Sequence, residues 1–334
     1  MNRLKVYGIT FFFAAMFVAC NKNEEKEPDV FVVGCEYDRQ ASAKIWKDGV
    51  VQNLSASESQ TANANSVYVS GTDVYVAGYI GIVAKLWKNG VAQDLTDGME
   101  AHSVFVSGSD VYVAGVGMSV AKLWKNGVTQ TLPMVAVNSS VSVFVSKNDV
   151  YLTGGDYLLK NGVAQNLSCD ESTVFTMTNS VYVVGNDVYV AGYEIRFKDG
   201  QYYYCATLWK NGVAQYLTDE RTQRVEATSV FVSGRDMYVA GYDYVDYTNI
   251  YGTHSVSVAK LWKNGVAQNL SNGNENGFNA RANSVYVAGR DIYVAGYEDS
   301  GALRKYVAKL WKNGVAQNLT DGNSYAVAMC VFVK

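Results

Sequence analysis

From residue 29 onward the chain alternates between two kinds of apolar residue. Val67-Tyr68-Val69 and Val74-Tyr75-Val76 set Val against Tyr with a period of two, the pattern of short strands whose two faces differ. Gly71-Thr72 between them suits a type II′ hairpin turn, with Gly at its first central position. A second hairpin follows in Ala84 to Gln93, turning on Asn89-Gly90, a type I′ signal. Four strands, here called a, b, c and d, thus form one unit.

The unit recurs. The Trp of its third strand falls at Trp46, Trp87, Trp124, Leu159, Trp209, Trp262 and Trp311, so successive copies lie 41, 37, 35, 50, 53 and 49 residues apart. All six Trp of the protein are used in this way. Six copies turn c into d on Asn-Gly and the first on Asp48-Gly49. Gly recurs in the a–b turn at 71, 108, 185, 234 and 289, while the fourth copy has Lys147-Asn148.

Pairing a with b across a two-residue turn puts Tyr68 opposite Tyr75. The same register pairs Phe105 with Tyr112, Phe144 with Tyr151, Tyr182 with Tyr189, Phe231 with Tyr238 and Tyr286 with Tyr293. Each sheet therefore has an aromatic face and a Val face, and both need cover. Radial stacking covers both, the aromatic face of one unit lying on the Val face of the next. The two ends of the repeat region favour a closed ring. Asp29 to Gly34 is a strand b with no a before it, and Cys330 to Lys334 is a strand a with no b after it, so Phe332 and Phe31 make a seventh pair. Seven sheets of four antiparallel strands, the C-terminal strand closing the first, predict an all-β fold: a seven-bladed β-propeller over 29–334. Its repeats fall near 29–54 plus 328–334, 64–95, 101–132, 141–167, 179–217, 228–270 and 282–319.

The first 28 residues follow another pattern. Arg3 and Lys5 precede Ile9 to Ala19, eleven apolar or small residues apart from the hydroxyl of Thr10. As a helix this run rises about 16 Å, short of the roughly 30 Å bilayer core, so 1–19 reads as a secretory signal peptide. Residues 20–28, Cys20 to Pro28, hold no apolar side chain after the Cys and read as a solvated tether. Removing 1–19 shifts the balance to 26 basic and 31 acidic residues.

Composition narrows the class. Of 334 residues 49% are hydrophobic, with 25 Tyr but only 2 Pro, 2 His and 5 Cys. Disordered, collagen-like and disulfide-scaffold chains are excluded. A net charge of −3 gives no footprint for nucleic acid, and two His argue against a His-rich metal site; no cofactor is expected.

Two resemblances follow from these motifs. Phe17-Val18-Ala19-Cys20 resembles the lipobox of bacterial lipoproteins, which implies cleavage before Cys20 and its lipidation. The acidic stretch after Cys20 is similar to the export signal of surface lipoproteins in some Gram-negative bacteria, implying an outer-membrane or cell-surface location. The strand b sequence Asp-Val-Tyr-Val-Ala-Gly-Tyr, the Gly154-Gly155 doublet and closure by the last strand resemble the kelch and galactose-oxidase type of propeller. The Gly-His and Trp-Asp signatures of WD40 repeats are absent. Copper chemistry is not implied, because no His cluster accompanies Tyr204-Cys205.

Function is expected where length varies. Every a–b and c–d turn is minimal, and these turns share one face of the disc. From the strand-b Asp to the Trp position the copies span 17, 14, 14, 10, 22, 26 and 20 residues, so the long b–c segments belong to blades 5, 6 and 7 on the opposite face. They hold Tyr202, Tyr203, Tyr204, Tyr244, Tyr247, Tyr251, His254 and Tyr306, the expected ligand-binding residues, unless these Tyr serve to pack long loops on themselves. His102, ahead of strand a in blade 3, is a further candidate for the channel. Asp243 and Asp246 lack the Gly and distal Glu of a calcium loop. Cys35 and Cys330 fall in adjacent strands but diagonal in register, which leaves both a disulfide and free thiols open; Cys169 and Cys205 are read as free.

No nucleophile elbow, zincin or phosphate-loop motif is present, so no catalytic residue is assigned. The reading is a membrane-anchored, non-catalytic propeller that binds a glycan or a protein partner. The alternatives are an enzyme on polysaccharide, a glycosidase or lyase using Glu194, Asp243 or Glu298 from separate blades, and a structural subunit of a surface complex.

Overall fold

A computed structural model describes residues 27–334 except 56–59, 119, 131, 133–140, 166, 168, 222, 250–251, 273–277 and 302–304. The expected signal peptide, 1–19, and Cys20 thus lie outside the described residues. Every regular element described is a strand, and the strands make seven four-stranded antiparallel sheets in the order a-b-c-d. The strand Tyr325–Val333 joins the first sheet beside Val30–Tyr37, closing the ring as the chain ends predict.

The turn chemistry explains the strand ends. Asn89 and Gly90 take φ of 51° and 81°, the two positive angles a type I′ turn requires, and the other Asn-Gly turns repeat them. Gly71 sits at 56°, and Lys147 adopts the same angle where the fourth copy lacks Gly. The strand-b Asp links the two turns of its blade. Asp73 accepts from Asn89 Nδ2 at 2.8 Å and pairs with Lys88 Nζ at 2.7 Å, while Asn89 Oδ1 accepts from Val74 N–H at 2.8 Å. Lys88 and Asn89 hold the Asp73 carboxyl below its usual range.

All seven a–b aromatic pairs form in the expected register. The aromatic face of each blade packs on the Val face of the next; Tyr68 and Tyr75 of blade 2 lie against Val104 and Val106 of blade 3, with Trp124. The six Trp are fully buried between blades, and Trp87 Nε1 donates back to Leu54 O of the preceding blade at 3.0 Å. Burying such rings is the main apolar contribution to joining neighbouring sheets.

Two features depart from the expected pattern. The long b–c segments of blades 5 and 6 are not loops. Strand pairs Asp187–Lys198 with Gln201–Lys210, and Asp236–Asn249 with Gly252–Lys263, continue in register as hairpins beyond the disc. Asp199-Gly200, with φ of 52° and 78°, is the type I′ turn of the first. Second, strand a carries a β-bulge, between Ala64 and Ser66 in blade 2 and at the equivalent place in blades 3, 5, 6 and 7 and at Val33/Gly34 in blade 1. The bulge presses the strand-a backbone onto the Gly of strand b, where a Cβ on Gly78 would lie 2.0 Å from Asn63 O. That contact is the physical reason for Ala-Gly in the repeat. In blade 1 it separates the cysteines further: Cys330 pairs with Val33 ahead of the shift and Cys35 with Val327 after it, and both thiols are free.

Candidate functional site

The bulges build the lining of the central channel. Each turns one strand-a residue inward, giving Asn65, His102, Asn179, Thr228, Asn283 and Met329. These side chains latch onto the next blade: Asn65 Nδ2 donates to Ala101 O at 2.8 Å, Thr228 Oγ1 to Ala282 O at 2.8 Å and Asn283 Nδ2 to Ala328 O at 2.9 Å. His102 lies inside strand Glu100–Ser107 rather than ahead of it. Its Nδ1 accepts from Val141 N–H at 3.1 Å and its Nε2 meets Glu100 Oε2 at 3.2 Å, so the acceptor role of Nδ1 leaves the proton on Nε2.

One residue deeper, the six hydroxyls of Ser66, Ser103, Ser142, Ser180, Ser229 and Ser284 each accept from a Val N–H of the following blade at 3.2–3.3 Å. The seventh place is Cys330, beside the Val67 N–H, where burial pushes the thiol up. Below this ring the channel narrows at an aromatic girdle. Tyr68, Phe105, Phe144, Tyr182, Phe231, Tyr286 and Phe332 close a circle with neighbouring centroids 4.6–4.9 Å apart. Burial, then the neighbouring phenols of Tyr182 and Tyr68, pushes Tyr286 up to about 12. The result is a funnel of about 500 Å³ on the face opposite the short turns, with walls of amides and hydroxyls.

Its rim is charged and aromatic over blades 5 to 7 and into blade 1. Asn63, Glu100, Glu226 and Arg281 share one register position, each opposite the residue after the strand-b Gly. Arg224 pairs with Glu226 and lies 5.8 Å from the Tyr193 ring. The Arg281 guanidinium stacks 4.2 Å from the Tyr242 ring and 5.8 Å from that of Tyr244, whose Oη accepts from it at 2.8 Å. Tyr297 and Tyr306 stack at 4.4 Å, and Tyr306 meets Tyr325 edge-on at 5.6 Å. Burial pushes Tyr297 up to about 12.

The expected ligand residues divide among three places. Tyr244 and Tyr306 belong to this rim. Tyr202, 58% exposed, and Tyr203 stand on the projecting hairpin of blade 5, and Tyr202 packs 4.9 Å from Phe197. His254, exposed, is the register partner of Tyr247 on the hairpin of blade 6. Tyr204 packs instead with the buried cluster between blades 5 and 6. Tyr251 lies outside the described residues. Arg281, Tyr242, Tyr297 and Glu226 were not anticipated. Their signal was the alternation that runs on past the Gly of strand b, as in Tyr242-Asp243-Tyr244.

Glu194, Asp243 and Glu298 occupy one register position in neighbouring blades, yet each is held in its own blade. Glu194 is fully buried with Arg196 at 3.4 Å, Asp243 faces Lys260 at 3.5 Å and Glu298 faces Lys309 at 3.0 Å. Burial raises the Glu194 carboxyl. Among the described residues no group of three metal-ligating side chains converges.

Fold and site together define a closed seven-bladed β-propeller with a polar funnel on one face. No protein-family model and no curated protein matches the sequence. Among solved structures, apo AztD from Citrobacter koseri matches at a TM-score of 0.43 and 10% identity, over 92% of this chain and 98% of that one. A second structure of Citrobacter koseri AztD matches over the same shares at a TM-score of 0.37 and 10% identity. Similarity at this level carries no argument about function, and the propeller assignment rests on the seven sheets and the closed girdle.

Proposed function

We propose that this protein is a lipoprotein of a Gram-negative cell envelope, of kelch-like propeller type, whose funnel face holds a glycan without chemical change. The observation that carries the reading is the position of the Tyr–Arg rim on the opposite side of the disc from the incoming chain. Glu27 pairs with Lys312 Nζ at 3.2 Å and Asp29 with Lys47 at 2.9 Å, both beside the short turns. From there nine residues, 20–28, reach back to Cys20 over at most about 30 Å. An acyl anchor on Cys20 would set the turn face toward the bilayer and the funnel away from it.

The chemistry of the funnel suits a polyhydroxylated ligand. Asn and Ser groups offer paired donors and acceptors, and exposed Tyr faces offer rigid platforms for sugar rings. Two measurements test the reading. The intact chain purified in detergent is applied to a glycan array, and Tyr244→Ala and Tyr306→Ala are expected to lower binding at least tenfold while melting normally. Unchanged binding by both variants rejects the site, and capture of a protein in place of any glycan rejects the ligand class. Palmitate labelling that persists in Cys20→Ala rejects the anchor.

A further inference from the structure

We infer that Arg281 forms, with Tyr244 and Tyr306, a subsite for a carboxylate, so that the glycan of the proposed function is an acidic one bearing uronic acids. The inference rests on that reading and adds the charge of the ligand.

Arg196, Arg221 and Arg224 each face a carboxylate, at Glu194, Asp243 and Glu226. Arg281 is only partly exposed, yet no carboxylate pairs with it among the described residues, and its Nε has no hydrogen-bond partner. The acids nearby are engaged elsewhere. Glu226 is taken by Arg224 and Glu298 by Lys309, while Asp299 Oδ2 accepts from Asn279 N–H at 3.1 Å. A half-desolvated cation without a counter-ion is costly, and stacking on Tyr242 and Tyr244 offsets only part of that.

The remaining donors point to the partner. A guanidinium has five N–H groups in a planar fork, and Tyr244 Oη takes one. Stacking on the Tyr242 face fixes the plane of the fork and leaves its edge for a bidentate acceptor. The phenols of Tyr297, Tyr306 and Tyr244 lie within electrostatic reach of one another and of Arg281, and the Asp299 carboxylate, on the register partner of Tyr306, lies within the same reach. Those hydroxyls suit the ring hydroxyls that flank a uronate carboxylate. A phosphate would draw on a second unpaired cation or a nest of backbone N–H groups, and among the described residues neither is seen beside Arg281, Arg224 being paired with Glu226.

The test compares each acid with its own ester. Sodium polygalacturonate, alginate and heparosan are titrated into the intact chain in detergent, each beside its methyl-esterified form. At least one acid is expected to bind tenfold or more tightly than its ester, with affinity falling as salt rises. Arg281→Gln should remove the difference in affinity between the acid and its ester. Arg281→Lys, which keeps the charge without the fork, should fall between. A melting temperature within a few degrees of the parent certifies the fold of each variant. Equal affinity for acid and ester, or acid binding unaffected in Arg281→Gln, overturns the subsite. If neutral glycans bind through Tyr244 and Tyr306 and no uronate does, the inference falls and the glycan reading stands. If no glycan binds, both fall.

Discussion

Replacing Gly241 by Ala tests whether the bulge in strand a is what shapes the funnel. A Cβ at this position would lie 2.0 Å from Glu226 O and 2.9 Å from the Trp262 ring. Real Cβ contacts essentially never fall below 3.0 Å, so the carbonyl must retreat by at least 1 Å. That carbonyl adjoins the bulge between Ala227 and Ser229, where the single Thr228 Oγ1–H is shared between Ala240 O at 3.0 Å and Ala282 O of the next blade at 2.8 Å. Overpacking of this kind costs about 1–3 kcal/mol, and losing the shared latch bond adds about 0.5–1.5 kcal/mol, for a total of about 1.5–4.5 kcal/mol. Gly234→Ala is the matched control. It sits at φ 62° in an a–b turn with open space around it, so only the left-handed backbone is penalised, at about 1–2 kcal/mol. Guanidinium denaturation of both variants reads the difference. Because Glu226 and Tyr242 flank the clash, Gly241→Ala should also weaken ligand binding, which Gly234→Ala should not. Equal costs, or the reverse order, would refute the account of the bulge.

Three further outcomes are expected. Phe231→Ala breaks the girdle at two contacts, 4.9 Å to Tyr182 and 4.7 Å to Tyr286, and should cost about 2–3 kcal/mol in denaturation, most of it in lost ring burial. Burial holds the Glu194 carboxyl above its ordinary 4.5, so its ionisation opposes folding: the penalty is absent at low pH and grows as pH rises from that value through the higher folded one. Denaturation midpoints of Glu194→Gln should therefore lose this part of the decline with pH, and an unchanged profile contradicts the shift. Native alkylation read by mass spectrometry should modify exposed Cys169 and spare Cys35 and Cys205, whose thiols burial pushes up to about 11; labelling of Cys35 ahead of Cys169 would contradict the packing of blade 1.

Most of the architecture was legible along the chain because sheets are encoded locally. Alternation of Val with Tyr places residues on faces, and Asn-Gly or Gly-Thr sets the turn and thereby the register. That is why Tyr68 meets Tyr75, and why Phe332 completes the pair with Phe31. The same local code explains the main oversight. Asp199-Gly200 is a hairpin signal of equal strength, and the alternation Tyr193, Ile195, Phe197 runs up to it, whereas excess length between strands b and c by itself suggests a loop. Tyr204 consequently belongs to the core between two blades, and Tyr202 to a projecting strand.

What only the tertiary structure decided is how one blade meets the next. The one-residue bulge at Asn65 and its equivalents has no local marker beyond the Gly it presses against, because a bulge forms where the rotation between sheets demands it. That extra residue sends Asn65, His102, Thr228 and Asn283 into the channel and sets Cys35 opposite Val327, one place further from Cys330. Arg281 lies 37 residues after Tyr244 in the chain, yet donates to its hydroxyl at 2.8 Å across the cleft between blades 6 and 7. The sequence by itself determined seven sheets and their faces, since those follow from near neighbours in the chain, and their closure, since Phe332 supplies the partner that Phe31 lacks. The composition of the funnel rim follows from the angle at which closed sheets pack, and a linear pattern does not carry that angle.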